Sequence, residues 1–167
     1  MSVVIGKAGR EDAAAMIDFL KTVGGETDNL TFGAEGLPIT IEAEAAFIVS
    51  IENSFDDIML LAKENGEIIG SASLNRMPRR MSHIGDFSVS VLKRYWNKGV
   101  GRMLIDGILD FASENGFEII NLQVRSDNKA AIHLYEKYGF KKIGTHPASF
   151  KINGEYIPFD YMYLTLK

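Results

Sequence analysis

The residues best placed to do chemistry lie in one run, Arg94-Tyr95-Trp96-Asn97-Lys98-Gly99-Val100-Gly101-Arg102. It joins an apolar, strand-like stretch ending at Val91 to a segment of helical periodicity starting near Gly99. The first N–H groups of a helix lack partners, and the helix dipole adds positive potential there. A glycine pair lets an anion approach that backbone with no Cβ in the way. Arg94, Lys98 and Arg102 add positive charge around it. Together these features describe a pyrophosphate site. A P-loop would need Lys-Ser or Lys-Thr at its end, but Arg102 follows Gly101; a dinucleotide fingerprint would want a third glycine where Leu104 stands. Both nucleotide readings fail. By itself, Gly-x-Gly also fits a glycine-softened helix start without a ligand.

Other candidates are ambiguous when read alone. Tyr135 shares a short helical segment with Ala131, Leu134 and Tyr138, a spacing at which aromatics are usually core. Asn128 opens that segment and reads as its N-cap. His83 and Asp86 sit on the strand leading to the glycine run. A histidine titrates near neutrality, which suits proton transfer. Asp86 suits holding an ammonium or relaying a proton through water, and both residues also read as ordinary strand-edge polars. The chain has no cysteine, which excludes disulfides, thiolate catalysis and cysteine-based zinc sites. His83, His133 and His146 show no metal-ligand spacing, so no metal is expected.

The elements that must position these residues follow from periodicity and turn signals. Val3 to Lys7 reads as a strand, Glu11 to Val23 as a helix stopped by Gly24-Gly25, and Thr40 to Asn53 as a second helix. Ile58–Ala62 and Ile68–Leu74 flank Asn65-Gly66, a strong hairpin signal. His83 to Val91 is a strand, Gly99 to Asn115 a helix with Val100, Leu104, Ile108 and Phe111 or Ala112 inward, and Glu118 to Val124 a strand. Asn128 to Tyr138 is a short helix closed by Gly139, and a last hairpin turns at Asn153-Gly154. The order β-α-α-β-β-β-α-β-α-β-β predicts one α+β domain over residues 1–167, with a parallel crossover between residues 83 and 124. A net charge of −4 argues against general nucleic-acid binding and is compatible with a cationic acceptor. No signal peptide and no apolar run of roughly 20 residues is readable, so a cytoplasmic protein with no membrane partner is expected.

Two segments together resemble the signatures of the GNAT superfamily of N-acetyltransferases. Tyr95 to Gly101 is similar to its acetyl-CoA loop, and Asn128-Lys129-Ala130-Ala131-Ile132-His133-Leu134-Tyr135-Glu136-Lys137-Tyr138-Gly139-Phe140 to its second motif. They stand in the family's order with a strand between them. Trp96 and Asn97 depart from the pattern, which prefers arginine or glutamine, then glycine, at these places. The resemblance implies a mixed, mostly antiparallel twisted sheet of six to seven strands, splayed at the cofactor site and flanked by about four helices. It implies acetyl-CoA as co-substrate and an amine as acceptor. Backbone groups of Val89 and Val91 would pair with pantetheine, while Asn97, Lys98, Gly99, Val100, Gly101 and Arg102 hold the pyrophosphate. Asn128 would anchor the pantetheine arm, and Tyr135 would protonate the departing thiolate. Asp86 and His83 are then candidates for the base, and Glu26 and Asp28, in the loop after the first helix, for acceptor binding. The aromatic terminal strand from Phe159 to Leu164 is a candidate homodimer contact, and burial within one subunit suits it equally. Arg76, Arg79 and Arg80 form a basic spot that reads as a solvated loop, or as a contact for the cofactor's 3′-phosphate, a partner protein or RNA. A non-catalytic acyl-CoA sensor or scaffold is the alternative class.

Overall fold

A computed structural model describes residues 2–166. Its strands are β1 (Val3–Lys7), β2 (Asp57–Glu64), β3 (Glu67–Arg76), β4 (Ile84–Val91), β5 (Ile119–Arg125), β6 (Lys141–Ile152) and β7 (Glu155–Thr165). Its α-helices are α1 (Ala13–Glu26), α2 (Ile41–Glu52), α3 (Val100–Glu114) and α4 (Lys129–Lys137). The strands form one sheet in the order β1-β2-β3-β4-β5-β7-β6. Every pairing is antiparallel except β4 with β5. The connection across that parallel pair carries α3, so the glycine run lies where β4 hands over to the crossover helix.

Local chemistry accounts for the elements. Both hairpins turn on Asn-Gly pairs in the left-handed region, with φ of 51° and 81° at Asn65 and Gly66 and of 50° and 82° at Asn153 and Gly154. That is the conformation a two-residue turn needs to match strand twist. Thr40 caps α2 by accepting the Ala43 N–H at 3.1 Å. α3 buries Val100, Leu104, Ile105, Ile108, Phe111 and Ala112 against the sheet, the stripe that a 3.6-residue period requires. Among the described residues, no helix is long and apolar enough to cross a membrane.

One expectation needs correction, and one alternative is decided. α1 does not stop at Gly24-Gly25 but runs through both to Glu26. A Cβ on Gly24 would lie 2.2 Å from the Gly33 carbonyl oxygen, so the glycine serves close passage of the following loop instead of ending the helix. The terminal strand β7 is not an open edge, because it is enclosed between β5 and β6. Phe159, Met162 and Leu164 are buried within the chain.

Arg76 ties together the end of the sheet far from the glycine run. Its guanidinium donates to Asp56 Oδ1 at 2.8 Å and to the Ser82 and Asn115 carbonyls, and lies 3.9 Å from the centre of the Phe117 ring. Arg79 and Arg80, by contrast, are exposed. Replacing Arg76 with alanine leaves two carbonyls without their donor and should cost about 2 kcal/mol of stability in urea denaturation. Ligand binding at the opposite end of β4 should be unchanged.

Candidate active site

The site begins with hydrogen bonds that are not made. β4 pairs with β3 along its length, from Gly85 opposite Arg76 to Val91 opposite Gly70. It pairs with β5 only at Ile84, Gly85 and Asp86. Beyond Asp86 the two strands part, and β5 continues from Leu122 to Arg125 bonded to β7 alone. The Leu92 N–H donates to the Ile69 carbonyl at 2.9 Å. By the alternation of an antiparallel ladder, the backbone groups of Phe87, Val89 and Val91 therefore face the gap. At the point of parting, the Tyr135 ring of α4 meets Phe87 edge-on at 6.3 Å and leans on Phe140 at 5.8 Å. This aromatic wedge occupies the region where the strands diverge.

The free edge of β4 leads into the start of α3. A 3-10 turn, Lys93–Tyr95, is followed by Asn97 at φ 60° and Gly99 at φ 84°. Gly99 is the N-cap of α3 and offers no side chain to the first turn. Among the described residues, no acceptor in the chain takes the backbone N–H groups from Asn97 to Arg102. A Cβ on Gly99 would meet nothing within 4 Å, and one on Gly101 only Leu134 at 3.9 Å. An open cradle of unpaired donors at a helix N-terminus fits a pyrophosphate. The cationic side chains are less free than the sequence suggests. Arg94 pairs with Glu67 and stacks on Tyr95, while Lys98 lies over the same ring, 5.4 Å from its centre. Trp96 is also engaged, since its indole N–H donates to the Val91 carbonyl at 2.8 Å. Val91 thus keeps only its N–H for the gap.

Beside the gap lies a cleft of about 490 Å³, within the range of small-molecule sites. Its floor comes from β3 and β4, and its walls from α1, α2, the loop after α1, Tyr135 and Phe150. Tyr135 is buried, and burial pushes its phenol up to about 12. Among the described residues the phenol has no hydrogen-bond partner, although Tyr135 lines the cleft. Asp86 is open to the cleft, yet the surrounding protein desolvates its carboxyl and raises its pKa.

The structure thus brings Asp86, Val89 and Tyr135 to one cleft, with the glycine loop at the end of the strand. Asn128 caps α4 through its side-chain oxygen, which accepts the Ala131 N–H at 3.3 Å, and its amide NH₂ has no partner among the described residues. His83 is not brought in. It precedes β4 at the paired end and does not line the cleft. Glu26 and Asp28 do not line it either. Glu26 instead accepts the Lys93 N–H at 2.7 Å, fastening the end of α1 to the glycine loop, and Asp28 is exposed. Their loop is nonetheless part of the wall, through Asn29, Leu30, Thr31, Phe32 and Leu37.

Sequence reasoning missed Glu44. It occupies the buried face of α2 with Ile48 and Ile51, lines the cleft, and is only 4% exposed. Among the described residues its carboxyl has no ion pair and no hydrogen-bond partner, and burial raises its pKa. The signal was a carboxylate at position i of an i, i+4, i+7 apolar stripe, where a charged residue is out of place.

Comparison with known proteins agrees with this geometry. The profile of the Acetyltransferase (GNAT) family matches residues 31–140. The chain is 35% identical over 106 residues to the L-amino acid N-acetyltransferase AaaT of Escherichia coli, covering 62% of this chain and 65% of that protein. It is 31% identical over 94 residues to the N-alpha-acetyltransferase RimI of Mycobacterium tuberculosis, covering 56% and 58%. These matches span less than two thirds of either relative's length. A GNAT-family acetyltransferase from Streptococcus pneumoniae superposes with a TM-score of 0.95 at 33% identity, over 99% of this chain and 100% of that one. The fold is shared with yncA from Salmonella typhimurium, solved with its cofactor acetyl-CoA, at a TM-score of 0.86 and 22% identity over 100% and 95% of the two chains. With the parted strands, the donor cradle and the family match in agreement, the chain belongs to the GNAT family of acetyltransferases.

Proposed function

We propose that this chain transfers the acetyl group of acetyl-CoA to a primary amine by direct attack within a ternary complex. The observation that carries this reading is the unpaired edge of β4, which runs from Asp86 into the uncapped start of α3. An extended chain with amide groups, such as pantetheine, satisfies the gap-facing backbone of Val89 and the Val91 N–H as an added strand would. The donors of Asn97 to Arg102 hold the pyrophosphate, and the free amide NH₂ of Asn128 binds the pantetheine arm. Acetyl-CoA supplies the activated acyl group; the rest falls to residues of the chain.

An amine of ordinary pKa holds its proton at pH 7, and removing it costs roughly 4–5 kcal/mol. In this reading Asp86 takes that proton, directly or through water, and its raised pKa makes it a stronger base than a solvated carboxylate. The Val89 N–H polarises the thioester carbonyl as the amine attacks. Tyr135 gives its proton to the departing sulfur and regains one from solvent. His83 has no part in these steps. We further infer a cytoplasmic enzyme, and a homodimer formed through the open edge of β6 in place of β7.

Three expectations follow from these roles. Tyr135→Phe should lower kcat about a hundredfold, with the Kd for acetyl-CoA unchanged; an undiminished kcat removes Tyr135 from the acid role. The phenol donates only while protonated, which holds below its pKa of about 12. The pH profile of kcat should therefore show no alkaline fall from Tyr135 below about pH 11. Gly99→Val should weaken acetyl-CoA binding more than Trp96→Ala in calorimetric titration. The valine is strained at φ 84° and fills the cradle; losing the indole frees one carbonyl. The opposite ranking contradicts a backbone grip on the pyrophosphate.

A further inference from the structure

The acceptor side of the cleft has a one-sided charge. Glu44 and Asp86 line it, and no lysine, arginine or histidine does among the described residues. The rest of the lining is apolar or neutral, including Met16, Leu20, Leu30 and Phe47. Glu44 is an unusual member. It is more than nine-tenths buried, yet its carboxylate has no partner among the described residues. No fully enclosed side-chain oxygen or nitrogen among the described residues lacks a partner, so the Glu44 oxygens keep their contact with the cleft. A partnerless buried carboxylate is unfavourable unless it takes up a proton or a cation reaches it.

Resting on the reading of this cleft as an acceptor site, we propose that Glu44 anchors a cationic amine, and that the acceptor is a small, apolar-bodied primary amine without a free carboxylate beside the amino group. A free amino acid would bring its own carboxylate into a cleft that offers two carboxylates and no cation. Like charges brought together in a partly desolvated cleft repel. An amine, an amino-acid amide or the N-terminus of a peptide carries the ammonium without that penalty. The apolar walls receive the body of the molecule, while Glu44 lines the cleft from α2 and Asp86 from β4. The preference separates this chain from what its relative's name describes, an L-amino acid N-acetyltransferase.

Equilibrium binding to the full chain in the presence of CoA tests this without requiring turnover. The probes are leucine, leucinamide, 3-methylbutylamine, a leucine-initiated tripeptide amide and 3-methylbutanol, a neutral match for the amine. Leucinamide and 3-methylbutylamine should bind at least about tenfold tighter than leucine. The tripeptide amide separates a peptide N-terminus from a free amine as the natural source. Glu44→Gln keeps the shape of the side chain and removes its charge. It should lower the preference for amine over alcohol about tenfold or more, while CoA affinity stays unchanged. A purely structural role for Glu44 would not move that ratio. Leucine binding as tightly as leucinamide overturns the proposal, as does an unchanged ratio in Glu44→Gln, or a failure of every amine to bind. Thiol release from acetyl-CoA is read in parallel. Selective amine binding without release leaves this inference standing and removes acetyl transfer; release driven best by leucine does the reverse.

Discussion

Everything at this site depends on a ladder that is left unfinished. The seven strands would pair without a break if β4 and β5 stayed together to their ends, but these two separate after three residues of pairing. An unpaired strand edge is ordinarily a hazard, because it invites another strand. Here the edge lies inside the sheet. β3 holds β4 on one side, β7 holds β5 on the other, and Tyr135, Phe87 and Phe140 stand where the strands diverge. The opening is thus fixed by its neighbours and does not rest on the loops at its mouth. The crossover then begins α3 at the open end of the gap. Strand edge and helix N-terminus become one continuous surface of unmet donors.

The same scarcity of partners recurs in the cleft. A buried carboxylate with no counter-ion weakens a fold, and α2 would be better packed with an apolar residue at Glu44. The apolar core beneath is large enough to tolerate it: Ile48 and Ile51 on that helix are buried, as are Met16 and Phe19 of α1. Stability is supplied elsewhere, by the α3 stripe and by the Arg76 clasp at the far end of the sheet. The two ends of β4 therefore have different occupations, one closed by a satisfied guanidinium and the other left open to ligand.

The order of elements, the two Asn-Gly hairpins and the parallel crossover were legible in the sequence because each rests on a local rule. Periodicity marks the helices, and left-handed φ marks the turns. The glycine run was legible for the same reason, being a short-range device. Asp86 could be suspected but not distinguished from His83, since both precede the parting of the strands and only the fold shows that Asp86 lines the cleft and His83 does not. Glu26 illustrates the opposite error. A carboxylate in a loop looked available to solvent and ligand, but its oxygen is held by a backbone N–H 67 positions later in the chain. Glu44 was hidden by convention. A single glutamate in a helix reads as surface, and only packing against α1 and the sheet reveals which face it occupies. The run through Gly24-Gly25 failed to terminate α1 because a distant loop needed the space, which no window of neighbouring residues can show.

Trp96 is the chain's only tryptophan, and its indole is bonded to the strand that borders the gap. The residue is 42% exposed, at the boundary between solvent and site. The chain thus carries a single indole, fixed to the end of the strand that borders the gap. The protein's intrinsic tryptophan emission is consequently a local signal, free of background from the core, and follows the occupancy of that strand edge without any label.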